Sequence, residues 1–334
     1  MKDTQGKTKY QGPVKDYERG GMQKEIYSSS DVISVSCPLC GANKSEELHR
    51  ERGALGVVRC PDCDLLYVNP RLKEPDKVYW GDADKYFNEA KLIFEGKASH
   101  HRDKNYLDDL RLIHKFKPSG KFLDIGTNMG FFLKNALNWQ WDLYGVEPSP
   151  SLAEIARKHF NLNVKTAFLE NAGFESDFFD VVSMTDVFEH VPPGPMLGEI
   201  RRILKPEGIL FIKVPNGLFN LLKLYFAKFT GRLSSYDIFD SYEHIVHYSD
   251  KSIRCMLKKH GFKVIKISIG KPIQLPVWHK YVGHFYQYPT PWRLDFKRQS
   301  ARTILFFISK IEFILRMGRV GYFAPNIIVI AKKA

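Results

Sequence analysis

The chain has no apolar stretch behind its polar opening, Met1-Lys2-Asp3-Thr4-Gln5-Gly6-Lys7, which predicts no secretory signal. Neither of its two long insertions reaches the ~18 continuous apolar residues that a membrane-spanning helix needs. No internal repeat is visible. Cysteine is scarce, with five in 334 residues, and four of these stand in two close pairs. Such pairing fits a reducing compartment where paired Cys means metal rather than disulfide, so a cytoplasmic protein is expected. The formal net charge of +13 raises nucleic acid or an anionic membrane as partners. Yet Lys and Arg are spread along the chain, without an Arg-rich block or an aromatic-studded RNA-binding signature, which argues against RNA. Hydrophobic content of 44% supports an ordinary core, and the length predicts one full domain plus an appended module.

That module is written in the cysteines. Cys37-Pro38-Leu39-Cys40-Gly41 and Cys60-Pro61-Asp62-Cys63 are two knuckles nineteen residues apart, the range in which a four-thiolate zinc ribbon closes. Four thiolates fill a tetrahedral ion and leave no open position, so the expected role of zinc is structural. Redox knuckles and free thiols are the alternatives. Val57-Val58-Arg59 and Leu65 to Arg71 read as the strands of the ribbon hairpin, and Cys255 as a core residue of a helix.

A second signal lies in Phe122-Leu123-Asp124-Ile125-Gly126-Thr127-Asn128-Met129-Gly130, followed by Tyr144-Gly145-Val146-Glu147. A short apolar run ending in Asp-x-Gly-x-x-x-Gly is a buried parallel strand turning tightly into a helix, where backbone approaches a ligand too closely for side chains. An acid at the tip of the next strand, Glu147, then meets ribose hydroxyls. The dinucleotide pattern Gly-x-Gly-x-x-Gly fails, because Asn128 occupies an inner position. Asn is the non-glycine residue that best tolerates left-handed backbone. A ligand-free strand-to-helix turn is the plain alternative.

Further strands and helices follow in alternation: Phe178 to Val191 as a strand with its exit loop, Glu199 to Gly208 as a helix, and Gly208 to Asn216 as a fifth strand. Together these strings resemble the class I S-adenosylmethionine-dependent methyltransferases, in the branch of the quinone-precursor and cell-surface-sugar enzymes. The resemblance implies an α/β fold: a doubly wound, mostly parallel, seven-stranded Rossmann-like sheet, here with an N-terminal zinc ribbon. It also implies that Asp124, Gly126 and Gly130 border the methionine part of the cofactor and that Ala167, Phe168 and Leu169 border its adenine. Asp186 falls near its amino-acid end. The expected layout is a mobile tail at 1–30, the ribbon at 31–72, a helical connector or lid at 73–118, and the methyltransferase domain at 119–334. Connector positions Tyr86, Phe87, Leu92, Ile93, Tyr106, Leu107, Leu110 and Ile113 follow helical spacing. Leu152 to Phe160 and Ser249 to His260 read as helices, Asn163 to Phe168 and Phe262 to Ile269 as strands, and Asn326 to Ala331 as a last strand inserted antiparallel.

Insertions at 217–248 and 270–324 fall where this fold selects its substrate. The second holds Trp278, His279, Tyr281, His284, Tyr286 and Trp292, then a helical apolar face of Ile304, Phe307, Ile308, Ile311, Ile314 and Leu315. That face is expected to cover core as a lid or dimer helix; contact with the inner membrane surface or a lipid-linked substrate is the alternative. Catalytic candidates are His190, His244, His247 and Glu243, since a hydroxyl or carbon nucleophile needs a base of near-neutral pKa. Asp186-Val187-Phe188-Glu189-His190 resembles a Glu-x-x-Glu-His string of quinone O-methyltransferases, which can hold a divalent cation. Glu243-His244 with Ser249 resembles a string of deoxysugar C-methyltransferases, which also carry an N-terminal zinc module; Ser241 stands where they have Tyr. A small-molecule acceptor, most plausibly a sugar, nucleotide-sugar or glycolipid intermediate, is the expected substrate. An RNA methyltransferase, without its usual Asn/Asp-Pro-Pro-Tyr string, and a non-catalytic cofactor-binding scaffold are the alternatives.

Overall fold

The computed structural model describes residues 25–74, 90–91, 93–95, 100, 102–231, 237–271, 279–282, 286–289 and 292–334. Most of the expected tail, connector residues Tyr86, Phe87 and Leu92, and Trp278 and His284 lie outside the described residues. Five short strands come first: β1 (Val32–Ile33), β2 (Glu46–Glu51), β3 (Leu55–Arg59), β4 (Leu66–Val68) and β5 (Arg71–Leu72). Helix α1 (Asp103–His114) leads into β6 (Ser119–Ile125), α2 (Phe131–Lys134), β7 (Gln140–Val146), α3 (Pro150–Phe160) and β8 (Asn163–Lys165). Then come β9 (Phe179–Thr185), α4 (Pro193–Ile203), β10 (Leu204–Pro215), α5 (Gly217–Phe229), β11 (Val246–His247), α6 (Asp250–Lys259) and β12 (Phe262–Ile269). A hairpin of β13 (His279–Val282) and β14 (Tyr286–Pro289), helix α7 (Trp292–Leu315) and β15 (Asn326–Lys333) complete the chain.

Seven strands form the central sheet in the order β12-β15-β10-β9-β6-β7-β8. Strands β6 to β10 are parallel to their neighbours, and β15 runs antiparallel between β10 and β12. The apolar runs are continuous because both faces are covered. On β6, Phe122 packs on one side with Val181, Phe211, Leu110 and Ile113, while Leu123 and Ile125 join Val182, Met184 and Ile212 on the other. Helix α1 buries Leu110 and Ile113 against the sheet.

One helix ends early. The segment Glu199 to Gly208 stops being helical at Ile203, and Leu204, the first residue of β10, already pairs with Phe179 of β9. Pro206 disfavours helical backbone at Lys205, and β9 offers a neighbouring edge to the extended alternative. At Ser249, by contrast, the start of α6 is fixed locally by a capping box with Ser252.

The N-terminal strands do not stand apart from the sheet. A four-stranded sheet orders as β11-β4-β3-β2, so β11, from the first insertion, completes it by pairing Val246 with Tyr67 and His247 with Leu66. Strand β2, Glu-Glu-Leu-His-Arg-Glu, has no apolar alternation and owes its conformation to β3. Glu51 at its end is 4% exposed and holds the first insertion in place. Its carboxylate accepts the backbone N–H groups of Ile238 (2.8 Å), Phe239 (2.9 Å) and Ser241 (3.0 Å), and the Ser241 hydroxyl at 2.6 Å. Glu51→Ala strands these buried donors and is expected to cost about 3–5 kcal/mol in chemical denaturation. A loss under about 1 kcal/mol, the size of one neutral hydrogen bond, would show that the anchor carries no weight.

Candidate functional site

The carboxyl ends of β6, β7 and β9 border a cavity lined by Gly126, Glu147, Ala167, Phe168, Leu169 and Asp186, with Val187, His190, Met196 and Glu243. Each wall has a local cause. After β6 the chain turns through left-handed residues at Gly126 (φ 69°), Asn128 (φ 50°) and Gly130 (φ 85°). A Cβ on Gly126 would lie 2.6 Å from Val187, so the loop meets the β9 exit at backbone distance. Gly130 packs on Leu162 and Ala156 instead. Glu147 is fully buried, and its two carboxylate oxygens accept the N–H groups of Asn128 at 2.8 Å and Ser149 at 2.9 Å. Burial still holds its carboxyl above the usual range, against the pull of those two donors.

Asp124, Asn128 and Gly130 do not line the cavity. Asp124 lies beneath the loop, accepts the Ser183 hydroxyl at 2.6 Å, and is pushed up to about 7 by burial. Beyond β8, which ends at Lys165 rather than Phe168, residues 167–169 leave the sheet and form the side wall.

Behind His190 lies a polar cluster assembled from two distant segments. His190 and His244 stack edge to face with ring centroids 4.6 Å apart, and each Nε2 is 4.0 Å from Oε1 of Glu189. Glu189 is 2% exposed, and neither of its oxygens has a hydrogen-bond partner among the described residues. Burial, followed by the charge of Asp186, raises the Glu189 carboxyl well above its usual range. Burial lowers His190 to about 4 and His244 well below the ordinary imidazole value, the latter helped by His190 and His247. The ligand atoms of Glu189, His190 and His244 lie within 4.8 Å of one another, a spacing that fits one cation as well as a shared proton. His190 Nδ1 lies 3.1 Å from the carbonyl of Glu243. His247 sits deeper, 6.5 Å from His244 between ring centroids, and burial lowers it to about 3. The two strings that resemble different enzyme classes thus converge on one place.

The four cysteines also converge. Cys37 and Cys63 sulfurs are 3.5 Å apart, and those of Cys40 and Cys60 3.4 Å. Sulfurs on a tetrahedral zinc with 2.3 Å bonds are about 3.8 Å apart, so the four fit that ion with little movement. Both knuckles share a turn: Gly41 N–H donates to the Cys37 carbonyl and Asp64 N–H to the Cys60 carbonyl, with positive φ at Gly41 and Asp64. Burial raises the Cys37 thiol, which a cation would reverse.

Three polar side chains escaped the sequence reading. Arg102 precedes α1 and pairs with Asp186, which has left-handed backbone at φ 55°. Lys213, inside the apolar run of β10, forms a buried pair with Asp109 of α1 at 2.6 Å. A lone Lys between Ile212 and Val214 was the available signal; nothing local marks Arg102 or Glu51.

Helix α7 turns its apolar stripe outward, so within this chain the stripe does not cover core. Phe306 and Phe313 pack toward the core and Ser309 is buried, whereas Ile304, Phe307, Ile311, Ile314 and Leu315 are 59–77% exposed. The predicted core-covering stripe is the outward one, and Glu312, accepting Tyr322 N–H at 2.8 Å and Phe323 N–H at 2.9 Å, ties the other side to the chain. Among the described residues no helix is long and apolar enough to cross a membrane.

A family model described as a methyltransferase domain matches residues 98–267, half of the chain. An uncharacterised protein of Methanocaldococcus jannaschii is 29% identical over 189 residues, spanning 56% of this chain and 80% of its own. The ubiquinone biosynthesis O-methyltransferase of Pasteurella multocida is 24% identical over 167 residues, spanning 42% and 68%. A SAM-dependent methyltransferase structure from Thermotoga maritima aligns with a TM-score of 0.46 at 19% identity, covering 77% of this chain and 99% of that one. With the ordered motifs on the expected strands and half the chain matched, the protein belongs to the class I S-adenosylmethionine-dependent methyltransferases.

Proposed function

We propose that this enzyme methylates a hydroxyl-bearing small molecule, with Glu189, His190 and His244 taking up the proton released. The observation that carries this is the buried Glu189 carboxyl, without a hydrogen-bond partner among the described residues and 4.0 Å from two Nε2 atoms, directly behind His190, which lines the cavity. Bound S-adenosylmethionine supplies an activated methyl for in-line displacement. Glu147 then holds the ribose, Ala167, Phe168 and Leu169 flank the adenine, and Asp186 with the Gly126–Gly130 loop borders the amino-acid end. Asp124 and Asn128 fix the loop from behind. Cys37, Cys40, Cys60 and Cys63 hold a structural zinc.

Burial raises the Glu189 carboxyl and lowers both imidazoles, so the rings stand neutral and each keeps a nitrogen lone pair that can accept a proton. His244→Ala is expected to lower kcat by about 10²–10⁴-fold while S-adenosylhomocysteine affinity stays near normal. Full turnover in that variant removes His244 from the mechanism. His247, buried behind His244 with ring centroids 6.5 Å apart, is the third imidazole of the cluster. In a second reading the same three side chains hold a divalent cation, and turnover then depends on added Mg²⁺ or Mn²⁺.

A sugar, nucleotide-sugar or glycolipid acceptor is favoured by the zinc module joined to this core and by the resemblance around Glu243-His244. The name of the ubiquinone-pathway relative favours oxygen as the methylated atom. A lipid-linked acceptor would bring the outward stripe of α7 to a cytoplasmic membrane surface. Assaying nucleotide sugars and lipid-linked glycans with labelled cofactor tests the class. An RNA acceptor would instead show binding steeply weakened by salt, and a scaffold would bind cofactor without any turnover.

A further inference from the structure

Beside the first cavity, over β10, β15 and β12, lies a second of about 180 Å³ whose wall carries Arg102, Lys213, Lys271 and Arg302. The two share a partition, since Arg102 of this cavity is paired with Asp186 of the other. Three of the four cations have carboxylate partners: Arg102 has Asp186, Lys213 has Asp109 at 2.6 Å, and Lys271 has Asp108 at 2.8 Å. Arg302, half-buried on α7, makes no ion pair with a described residue. Lys266 and Lys310 add to the excess. Burial, then the charges of Lys271 and Lys266, holds the Lys310 amine below its ordinary value. Like charges gathered in a concave, partly desolvated space are stabilised by an anion. Guanidinium forks from the α1 side and from α7 suit an oxyanion with several acceptor oxygens.

We infer that this second cavity binds a phosphoryl group carried by the methyl acceptor, with Arg302 and Lys271 as its principal ligands. The inference rests on the reading that the acceptor is held beside the cofactor cavity, and it narrows the acceptor to a phosphorylated molecule such as a nucleotide-sugar or lipid phosphate. Phe306 and Pro325, on the same wall, give the apolar contact that a neutral moiety next to the phosphate needs. The partition places the phosphate on the β10 side of Asp186, so that the acceptor reaches past Arg102 toward His190.

The test needs no turnover. Inorganic pyrophosphate titrated into the full-length protein is expected to bind at one site and to weaken as salt rises. Arg302→Ala and Lys271→Ala should each weaken that binding by about tenfold, as loss of a charge-assisted contact does. Arg302→Lys should restore part of the loss, and S-adenosylhomocysteine affinity should stay unchanged, which shows the fold and the cofactor cavity intact. Pyrophosphate binding that is absent, or equal in both variants and the parent protein, overturns the inference. Failure of the methyltransfer reading would register separately, as absent turnover with pyrophosphate binding retained.

Discussion

Glu147→Ala is expected to abolish measurable binding of S-adenosylmethionine and S-adenosylhomocysteine in calorimetry. The carboxylate is fully buried and fixed by the Asn128 and Ser149 N–H groups, so its free lone pairs meet the ribose diol without reorganisation. Two hydrogen bonds to a charged acceptor contribute about 3–6 kcal/mol, a loss of at least about 10²-fold in affinity. Alanine also strands two backbone donors, so part of its effect is a loosened loop. Glu147→Gln separates the two, since its amide oxygen still accepts one N–H while its NH₂ cannot accept from the diol. Affinity in Glu147→Gln equal to that of the parent protein would sink the ribose assignment. The sign of the pH dependence follows from the raised carboxyl: cofactor affinity should fall on acidification, starting at a higher pH than an ordinary carboxylate would set, because the protonated form loses acceptor capacity.

If the proposed zinc fills the four-cysteine site, removing it by chelation or by Cys60→Ser is expected to eliminate transfer even though none of the four cysteines lines either cavity. Structural zinc contributes about 10–16 kcal/mol of apparent binding free energy to small ribbons, more than so short a sheet supplies by packing. Here the ribbon also shapes the site. Strand β4 pairs with β11, which carries His247, and Glu51 grips the Ile238–Ser241 backbone that leads to His244. Cys37, Leu39, Cys60 and Tyr67 lie in the same buried cluster as Phe188 and Tyr248. Metal loss should therefore appear as hydrogen exchange rising together in 37–72 and 237–248, with proteolysis in the ribbon. A metal-free protein with full kcat and unchanged exchange at 237–248 would refute this coupling.

Much of this architecture could be read from short stretches of sequence because the forces that set it act over a few residues. The runs around Leu123, Val182 and Phe211 are buried on both faces, and only a covered parallel strand accommodates them. The spacing of two Cys-x-x-Cys pairs reports a turn that each knuckle makes alone. The left-handed loop at Asn128 and the acid Glu147 are likewise local statements of backbone conformation and strand register. Where a neighbour decided the outcome, local pattern misled. The helix at Glu199 ended at Ile203, where Leu204 takes up pairing with Phe179 of β9.

The sequence by itself showed where the core strands lie, a cofactor class through ordered motifs that resemble a known family, and the paired spacing of the cysteines, since each is written in short stretches of chain. Tertiary structure alone decided that Glu189, His190 and His244 meet, that Glu51 holds the loop carrying one of them, and that Arg102 divides two cavities. The Arg102–Asp186 and Glu51–Ser241 contacts join side chains 84 and 190 residues apart. At such separations no periodicity or propensity carries information, because the partners are chosen by how the sheet and ribbon pack.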